Sequence, residues 1–329
     1  MLKYLRNNQI DKQKWDACVE ASAQRLVYAL SWYLDVVAPN WAALVCEQEE
    51  QYKAVMPLPE AKKFGIQYVF QPFFCPQLGA FSTLNLSLHN FLPALIKQYV
   101  LISNYCFNTE NTDSLETAPD LEVKQYYTHH LNLAVGYEQL YQEYSRDRKL
   151  NLKRAQKAGL TIVESTDIKP IIQLFQEDAE SRIYGGVNPT TYLLLERLYE
   201  QLHQRGLATL LYTQTLAGEI DAGCLFITYA NKIIYIFNAA SKTGRQRNGR
   251  SLMIDAVIRK HAGQPFVFDF ESPPAVANII RVYQGFGSEP IPYYALQLNQ
   301  LPKPIKLIKE ARRLFFQRVL PAFRSLFKA

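Results

Sequence analysis

Glycine and arginine residues cluster in one short segment of the second half of the chain. Gly244, Arg245, Arg247, Gly249 and Arg250 follow a run of β-branched and aromatic residues and precede a helical pattern. Backbone N–H groups at the start of a helix are unpaired and partly positive, and glycine lets an anion approach them closely. Because arginine binds phosphate through paired hydrogen bonds, the segment predicts a phosphate site. The alternative is an exposed loop with solvated arginines.

The elements that position this segment are predicted from hydrophobic periodicity and turn residues. A strand, Lys232–Ala240, comes before it, and a helix, Ser251–His261, comes after it. From Leu160 to Leu298 the predicted order is β-α-α-β-β-β-α-β-α-β, which differs from the even alternation of a doubly wound sheet. The first half begins with a predicted helix over 14–34 and repeats this order in reduced form, which suggests a degenerate duplication.

Three stretches of the sequence resemble the GNAT N-acyltransferases. Gln246–Ser251 is similar to the pyrophosphate-binding Q/R-x-x-G-x-G/A loop of that family, with Ser251 in place of the usual Gly or Ala. Asn278–Gly287 resembles the closing β-α-β segment, in which a Tyr precedes a Gly-Phe pair. Its spacing, and the basic stretch Tyr144–Ala155 within a predicted helix over 137–158, resemble the Fem-type peptidyltransferases and their bacterial relatives, which contain two tandem GNAT-like domains.

This resemblance implies an α/β (α+β) fold with two tandem GNAT-like domains, each a mixed central sheet flanked by helices. It divides the chain into a degenerate domain at 1–136, a donor-binding domain at 137–301 and a cationic amphipathic C-terminal helix at 302–329. The second half resembles the family in its motifs, whereas the first half resembles it only in the order of its elements.

The resemblance also implies transfer of an acyl or aminoacyl group from a CoA-type donor to a small-molecule or peptide amine. Acyl-CoA is the expected co-substrate, and no metal is expected. In the family's mechanism the donor lies along the fourth strand, a base accepts a proton from the amine, and a Tyr protonates the thiolate. Tyr283 is the candidate acid, unless it only packs in the core. Asp269 and Glu271, two residues apart on one predicted strand, are candidates for the base or for binding the amine. The candidate donor-binding residues are Asn238, Ala239, Ala240, Ser241, Gln246, Arg247, Asn248, Gly249, Arg250 and Ser251.

Two other functions stay open. Fem-type enzymes take their donor group from aminoacyl-tRNA, and the basic stretch Arg146–Lys157 would suit tRNA, although the helical arm that many of them carry is not visible in this sequence. The other function is a non-catalytic tandem-GNAT adaptor that docks on a membrane or on a partner protein.

Positive charge is concentrated in residues 303–329. This segment carries eight basic residues against one acid, a net charge of +7, whereas the other 302 residues carry 28 basic and 29 acidic residues. A nearly neutral body argues against a dedicated nucleic-acid-binding module. Apolar residues recur every three or four positions in the segment, which predicts an amphipathic helix. That helix either lies on an anionic membrane surface or packs on its own domain.

The cysteines, the lack of long apolar runs and the histidine pair indicate the cellular compartment and argue against a metal site. Five scattered cysteines without CxxC spacing predict buried thiols in a reducing compartment rather than disulfides or a zinc site. No signal segment and no run of about 18 apolar residues occur, so we expect a cytoplasmic protein, or one held peripherally at the inner membrane face. His129 and His130 occupy opposite faces of a predicted strand, a poor metal site.

Two loops of the sequence are candidates for the walls of a binding site. The aromatic, proline-rich segment Gln71–Phe81 either lines a substrate cleft between domains or packs at their interface. The Tyr184–Gly186 loop contains two glycines and is predicted to act as a lid beside the acceptor.

Overall fold

The computed structural model describes residues 2–84, 86–112, 120–178, 186–273, 276–302 and 304. The strands are β1 Leu2–Arg6, β2 Ala42–Gln48, β3 Gln51–Leu58, β4 Glu60–Lys63, β5 Ile66–Val69, β6 Phe81–Ser82, β7 Leu101–Cys106, β8 Leu121–Asn132, β9 Thr161–Glu164, β10 Ala208–Gln214, β11 Ile220–Tyr229, β12 Lys232–Ala240, β13 Val267–Asp269 and β14 Glu289–Asn299. The helices are α1 Lys12–Ala21, α2 Ser31–Val37, α3 Leu88–Gln98, α4 Tyr137–Glu143, α5 Arg146–Lys157, α6 Lys169–Asp178, α7 Pro189–Gln204, α8 Lys242–Arg247, α9 Gly249–His261 and α10 Ala277–Gln284.

The strands form a small sheet and a large mixed sheet. The small sheet has the order β1-β2-β3-β6, and the large one has the order β4-β5-β7-β14-β8-β13-β12-β11-β10-β9. Helices cover both sheets through apolar cores, the largest of which contains the buried, tilted ring pair Trp15 and Trp41. In the second half, β9 to β12 follow one another as antiparallel neighbours, and β13 then joins β12 in parallel. This arrangement agrees with the predicted order of hairpin-linked strands followed by a crossover.

The two halves of the chain exchange strands. β8, from the first half, lies between β13 and β14 of the second half. Asn132–His130 of β8 pair with Val267–Asp269, and Glu289–Leu298 of β14 pair antiparallel with His130–Leu121. β14 continues to β7 of the first half on its other edge. The large sheet is therefore continuous across the predicted domain boundary at 136/137, which stays a prediction.

Two predicted helices are wrong in their extent. The helix predicted over 14–34 is two helices, α1 and α2, separated by a short 3₁₀ turn at Val27–Ala29. The helix predicted over 137–158 is broken between α4 and α5. Its break lies at Ser145, whose backbone N–H donates to the carbonyl of Gly285 and whose hydroxyl caps α5 by accepting from the N–H of Arg148. A contact with α10 thus ends one helix and starts the next.

Some predictions fall on residues that lie outside the described ranges. These are nearly all of the predicted C-terminal helix at 302–329 and most of the Tyr184–Gly186 loop. Within the described ranges, no helix has both the length and the apolar character needed to cross a bilayer. All five cysteines are buried and free, as predicted.

Candidate active site

The strand β12 separates from its neighbour β13 halfway along its length. It pairs with β11 from Lys232 to Ala240, but among the described residues it pairs with β13 only through Lys232–Ile234. The register with β11 shifts at Ile236, which is a β-bulge, at the level where β13 departs. On that side, residues 235–240 therefore have no strand partner within the part of the chain that the structure describes, and we call this side the free edge of β12. An unpaired strand edge can bind an extended ligand through its backbone N–H and C=O groups.

Aromatic side chains from both halves pack beside this free edge. The ring of Phe237 on β12 lies 6.0 Å from that of Phe74 and 5.2 Å from that of Phe175. Tyr33 donates its hydroxyl hydrogen to the carbonyl of Phe74 and so holds the loop that contains Phe74 against α2. The segment predicted as a cleft wall or an interface is thus in contact with β12, next to the candidate donor position.

The glycine- and arginine-rich segment is helical, so its prediction as a loop is wrong. Ser241 caps α8 by accepting the N–H of Gly244, and Asn248, at a left-handed φ of +64°, separates α8 from α9. Arg245 pairs with Asp178, and Arg247 lies 3.3 Å from the buried carboxylate of Asp221. Gln246 is exposed on the surface of α8. Because carboxylates already neutralise two of its cations, the segment offers less positive charge than predicted.

The start of α9 is held by packing. A Cβ on Gly249 would lie 2.4 Å from the hydroxyl oxygen of Thr213, so the helix approaches β10 closely at this glycine. Arg250 donates to the side-chain oxygen of Asn238 at 2.7 Å, and Ser251 accepts from Arg148 at 3.1 Å. The structure thus brings predicted donor residues of the helix and the strand end together. Ala239 and Ala240 pair with β11 beside them.

Tyr283 lies where β12 and β13 separate. Its ring stacks on Phe270, just past β13, at 4.7 Å and meets Tyr235 of β12 edge-on at 6.2 Å. The side chain is buried among apolar residues of the second core. Burial raises the pKa of Tyr283, against a smaller opposing effect of Arg250, so the phenol keeps its proton at neutral pH.

Asp269 ends β13 and is almost fully buried. One carboxylate oxygen accepts the hydroxyl hydrogen of Thr128 at 2.7 Å and the N–H of Glu271 at 3.0 Å. The other oxygen lies 3.0 Å from Nε2 of His130. Burial alone would raise the pKa of Asp269, but His130 and these hydrogen bonds outweigh it and hold the pKa below its usual value. The carboxylate is therefore ionised, and Nε2 of His130 must be the donor, which leaves Nδ1 as the basic nitrogen.

Glu271 does not lie on the strand with Asp269, as was predicted, but just beyond its end. It has a φ of +43°, a strained value for a residue other than glycine. Its carboxyl accepts the hydroxyl hydrogen of Tyr28, from the first half, at 2.7 Å. Burial, and next the charge of Asp269, raise the pKa of Glu271 well above its usual value. Two neighbouring carboxyl groups with pKa values pushed apart are typical of acid–base sites.

Sequence reasoning missed His130, Thr128 and Tyr28, which complete this cluster from the first half. Asp269 is 139 residues from His130, so no local spacing could link them. The two histidines do occupy opposite sides of the strand, since Nδ1 of His129 meets the hydroxyl of Ser272 at 2.8 Å instead. Within the described ranges, no three His, Cys, Asp or Glu side chains are arranged to hold a metal ion.

No family model matches this sequence, and no curated protein matches it significantly. Solved structures do match. FemX has a TM-score of 0.64 over 89% of this chain and 96% of its own, at 13% identity. L-PGS from Bacillus licheniformis has a TM-score of 0.54 over 92% and 96%, at 13% identity. A conserved protein of unknown function from Bacteroides thetaiotaomicron has a TM-score of 0.54 over 88% and 97%, at 12% identity. The chain thus shares the fold of FemX, which confirms the predicted fold class and, at the level of the fold, the resemblance to Fem-type proteins.

Proposed function

We propose that this protein is an acyltransferase that moves an acyl or aminoacyl group from a CoA-type donor to an amine. The observation that carries the proposal is the free edge of β12, which begins directly after Ile234, the strand partner of Asp269, whose carboxylate in turn holds His130. An extended thioester chain can bind an unpaired strand edge, and a basic nitrogen within reach of a bound amine can deprotonate it. The amine is a small molecule or a peptide.

In the proposed reaction, backbone N–H groups at the free edge of β12 polarise the thioester carbonyl. His130 accepts a proton from the amine at Nδ1 while Asp269 holds Nε2. The nitrogen then attacks the carbonyl carbon, a C–N bond forms and the C–S bond breaks. The phenol of Tyr283, which keeps its proton at neutral pH, protonates the departing thiolate. Glu271, kept protonated by its raised pKa, donates a hydrogen bond without adding negative charge.

The donor's phosphates fit this site less well than its thioester arm does. Arg245, Arg247 and Arg250 each have a protein partner, so a phosphate must compete with those partners. We therefore propose that the donor binds mainly at the free edge of β12 rather than at α8.

The test is a panel of acyl-CoA donors and amines, with donor binding measured by calorimetry and acylated amine detected by mass spectrometry. We expect His130→Gln to lower turnover by about 10²–10⁴-fold while donor binding is kept, because only the base is lost. His203→Gln, on an exposed position of α7, is the matched control. If no donor binds and no amine is acylated, the proposal is wrong.

A second candidate donor is aminoacyl-tRNA, which a cationic surface on α5 favours. Arg146, Lys149, Leu150 and Lys153 line an open cavity of about 410 Å³ with three basic side chains. Charge reversal at Lys149 and Lys153 should abolish tRNA binding, whereas Lys97→Glu, exposed on α3, should not. Equal binding by all of these variants, or none by the wild type, would rule this donor out.

A further inference from the structure

The second half of the chain contains a cavity at one corner of the large sheet. It has a volume of about 170 Å³ and lies between the end of α9 and one face of the strands β9 to β12. β9 is only four residues long and ends at Glu164, opposite Leu211 of β10. Protein cores contain few gaps larger than one water molecule, so a cavity of this size is a candidate binding site.

The floor of the cavity is apolar. It is formed by Leu211, Phe226, Ile233 and Val257, all of which belong to the second core. These side chains come from three adjacent strands and from α9, so the core holds the floor in place. An apolar surface with a few convergent polar groups is typical of sites that bind small molecules.

The rim of the cavity carries two opposite charges. Glu164 on β9 and Lys260 on α9 both line the cavity, and both side chains are exposed. Among the residues that the structure describes, neither side chain has an ion-pair or hydrogen-bond partner, and the two do not pair with each other. The hydroxyl groups of Thr209 and Thr228 also line the cavity. A ligand that neutralises both charges must itself carry a positive and a negative group.

His261 adds a polar atom without a partner. Its side chain lines the cavity, and its Nδ1 is buried without a hydrogen bond to any described residue. Burial, and next the charge of Lys260, lower the pKa of His261, so the ring is neutral at pH 7. A buried polar atom without a partner is costly, and a polar ligand in the cavity would supply one.

The cavity is separate from the candidate active site. α9 runs from Gly249, beside the candidate donor residues, to His261, and the cavity lies at its last two turns. At a rise of 1.5 Å per residue, Arg250 and Lys260 are about 15 Å apart along the helix. Ile233, the residue of β12 that lines the cavity, still pairs with β13 and so lies outside the free edge.

We propose that this cavity binds a small zwitterion with an apolar side chain, an α-amino acid of about the size of leucine. Its ammonium group binds Glu164, its carboxylate binds Lys260, and its side chain packs on the apolar floor. The volume is below the roughly 300–1,000 Å³ of sites for drug-sized ligands, so it is too small for CoA and suits a single amino acid. The site goes beyond the proposed transfer reaction and does not rest on it.

The test is isothermal titration calorimetry of the full chain with L-leucine and three analogues, without an acyl donor. Leucinamide lacks the carboxylate, 4-methylpentanoate lacks the ammonium group, and glycine lacks the apolar side chain. We expect leucine to bind. Leucinamide and 4-methylpentanoate should each bind about fivefold more weakly or worse, because one charged hydrogen bond is lost. Glycine should bind at least about tenfold more weakly, because each buried methylene contributes about fourfold.

Two variants locate the ligand in the cavity. Glu164→Gln should weaken leucine binding about fivefold or more and leave the binding of 4-methylpentanoate unchanged. Lys260→Gln should weaken leucine binding similarly and leave the binding of leucinamide unchanged. The matched controls are Glu219→Gln, exposed before β11, and Lys169→Gln, exposed at the start of α6, and both should bind leucine as the wild type does.

Thermal unfolding of the four variants separates lost binding from misfolding. All four side chains are exposed, so each variant should unfold at about the temperature of the wild type. The inference is overturned if leucine does not bind, or if leucine binds equally to the wild type, Glu164→Gln and Lys260→Gln, since it then lies elsewhere. Binding of the three analogues as tight as that of leucine would also overturn it. Because no donor is present, these outcomes leave the proposed transfer reaction to its own test with acyl-CoA donors.

Discussion

Asp269→Asn separates the electrostatic role of the buried carboxylate from its shape. In the wild type, the carboxylate accepts hydrogen bonds from Thr128, from the N–H of Glu271 and from His130. Two of these donors meet the same oxygen, so the amide of the variant must keep its oxygen there. Its NH₂ group then faces Nε2 of His130. The opposite orientation would set an amide donor against two donors inside the protein.

The loss of stability follows from the change in charge. A hydrogen bond to a charged group contributes about 1.5–3 kcal/mol and one between neutral groups about 0.5–1.5 kcal/mol, a difference of about 1 kcal/mol per bond. Three bonds converge on Asp269, so the variant should lose about 3 kcal/mol. At about 2–4 °C per kcal/mol, thermal unfolding should begin about 6–12 °C lower. Asp255→Asn is the control, because burial raises the pKa of Asp255 and its bond from Tyr137 survives the change.

The effect of Asp269→Asn on the tautomer of His130 is a more specific test than the loss of stability. An amide that donates to Nε2 forces the proton of the imidazole onto Nδ1, so the ring loses its basic nitrogen. We expect turnover to fall about 10²–10⁴-fold, with the tautomer change visible in the imidazole nitrogen shifts by NMR. An unchanged tautomer with full turnover would refute the assignment of His130 as base. Stability equal to that of the wild type would refute an ionised Asp269.

Two more predictions concern the same region. Glu271→Gln should flatten the pH dependence of stability. Because the pKa of Glu271 is raised in the folded chain, this side chain keeps a proton that the unfolded chain releases above about pH 4.3. The wild type therefore loses stability as the pH rises, and the variant lacks this loss. In denaturant unfolding between pH 4.5 and 8, the free energy of unfolding of the variant should rise relative to that of the wild type as the pH increases. A difference between the two that stays constant with pH would contradict the raised pKa of Glu271. Gly249→Ala should cost about 1–3 kcal/mol by denaturant unfolding, because the new Cβ meets Thr213, whereas nothing lies within 4 Å at Gly136 and Gly136→Ala should cost less.

Local pattern was sufficient for the hairpin strands of the second half. β12 matches its predicted bounds, since it is a run of β-branched and aromatic residues that begins directly after a turn at Asn231. The break before α5 could not be found in this way, because the partner of the Ser145 N–H is the carbonyl of Gly285, which is distant in sequence. Periodicity records which residues face the core and carries no information about a helix that a remote carbonyl interrupts.

The candidate site shows the same limit, because its contacts between distant residues are not visible in the local pattern. Asp269 and Glu271 were predicted because they lie two residues apart near the loop end of one predicted strand, where a base or an amine-binding residue was expected. The pKa of Asp269 is held down against burial by His130, which no motif includes, whereas burial and then the charge of Asp269 raise the pKa of Glu271. For the arginines, distant residues remove a property that the sequence predicts. Their spacing suggests free cations, but Asp178 and Asp221, which neutralise two of them, lie far from them in sequence.

The exchange of strands explains why the base was missed and makes the halves dependent on each other. His130 reaches Asp269 only because β8 lies between β13 and β14, where its backbone pairs with both. A second half without β8 would keep the free edge of β12 and lose the histidine, and β13 would lose one of its two partners. The half that carries no donor motif therefore supplies the proposed base and also supports the strand that ends in Asp269. In the proposed reaction, donor binding and proton transfer are thus divided between the halves, and neither half alone contains all the residues that the proposal uses.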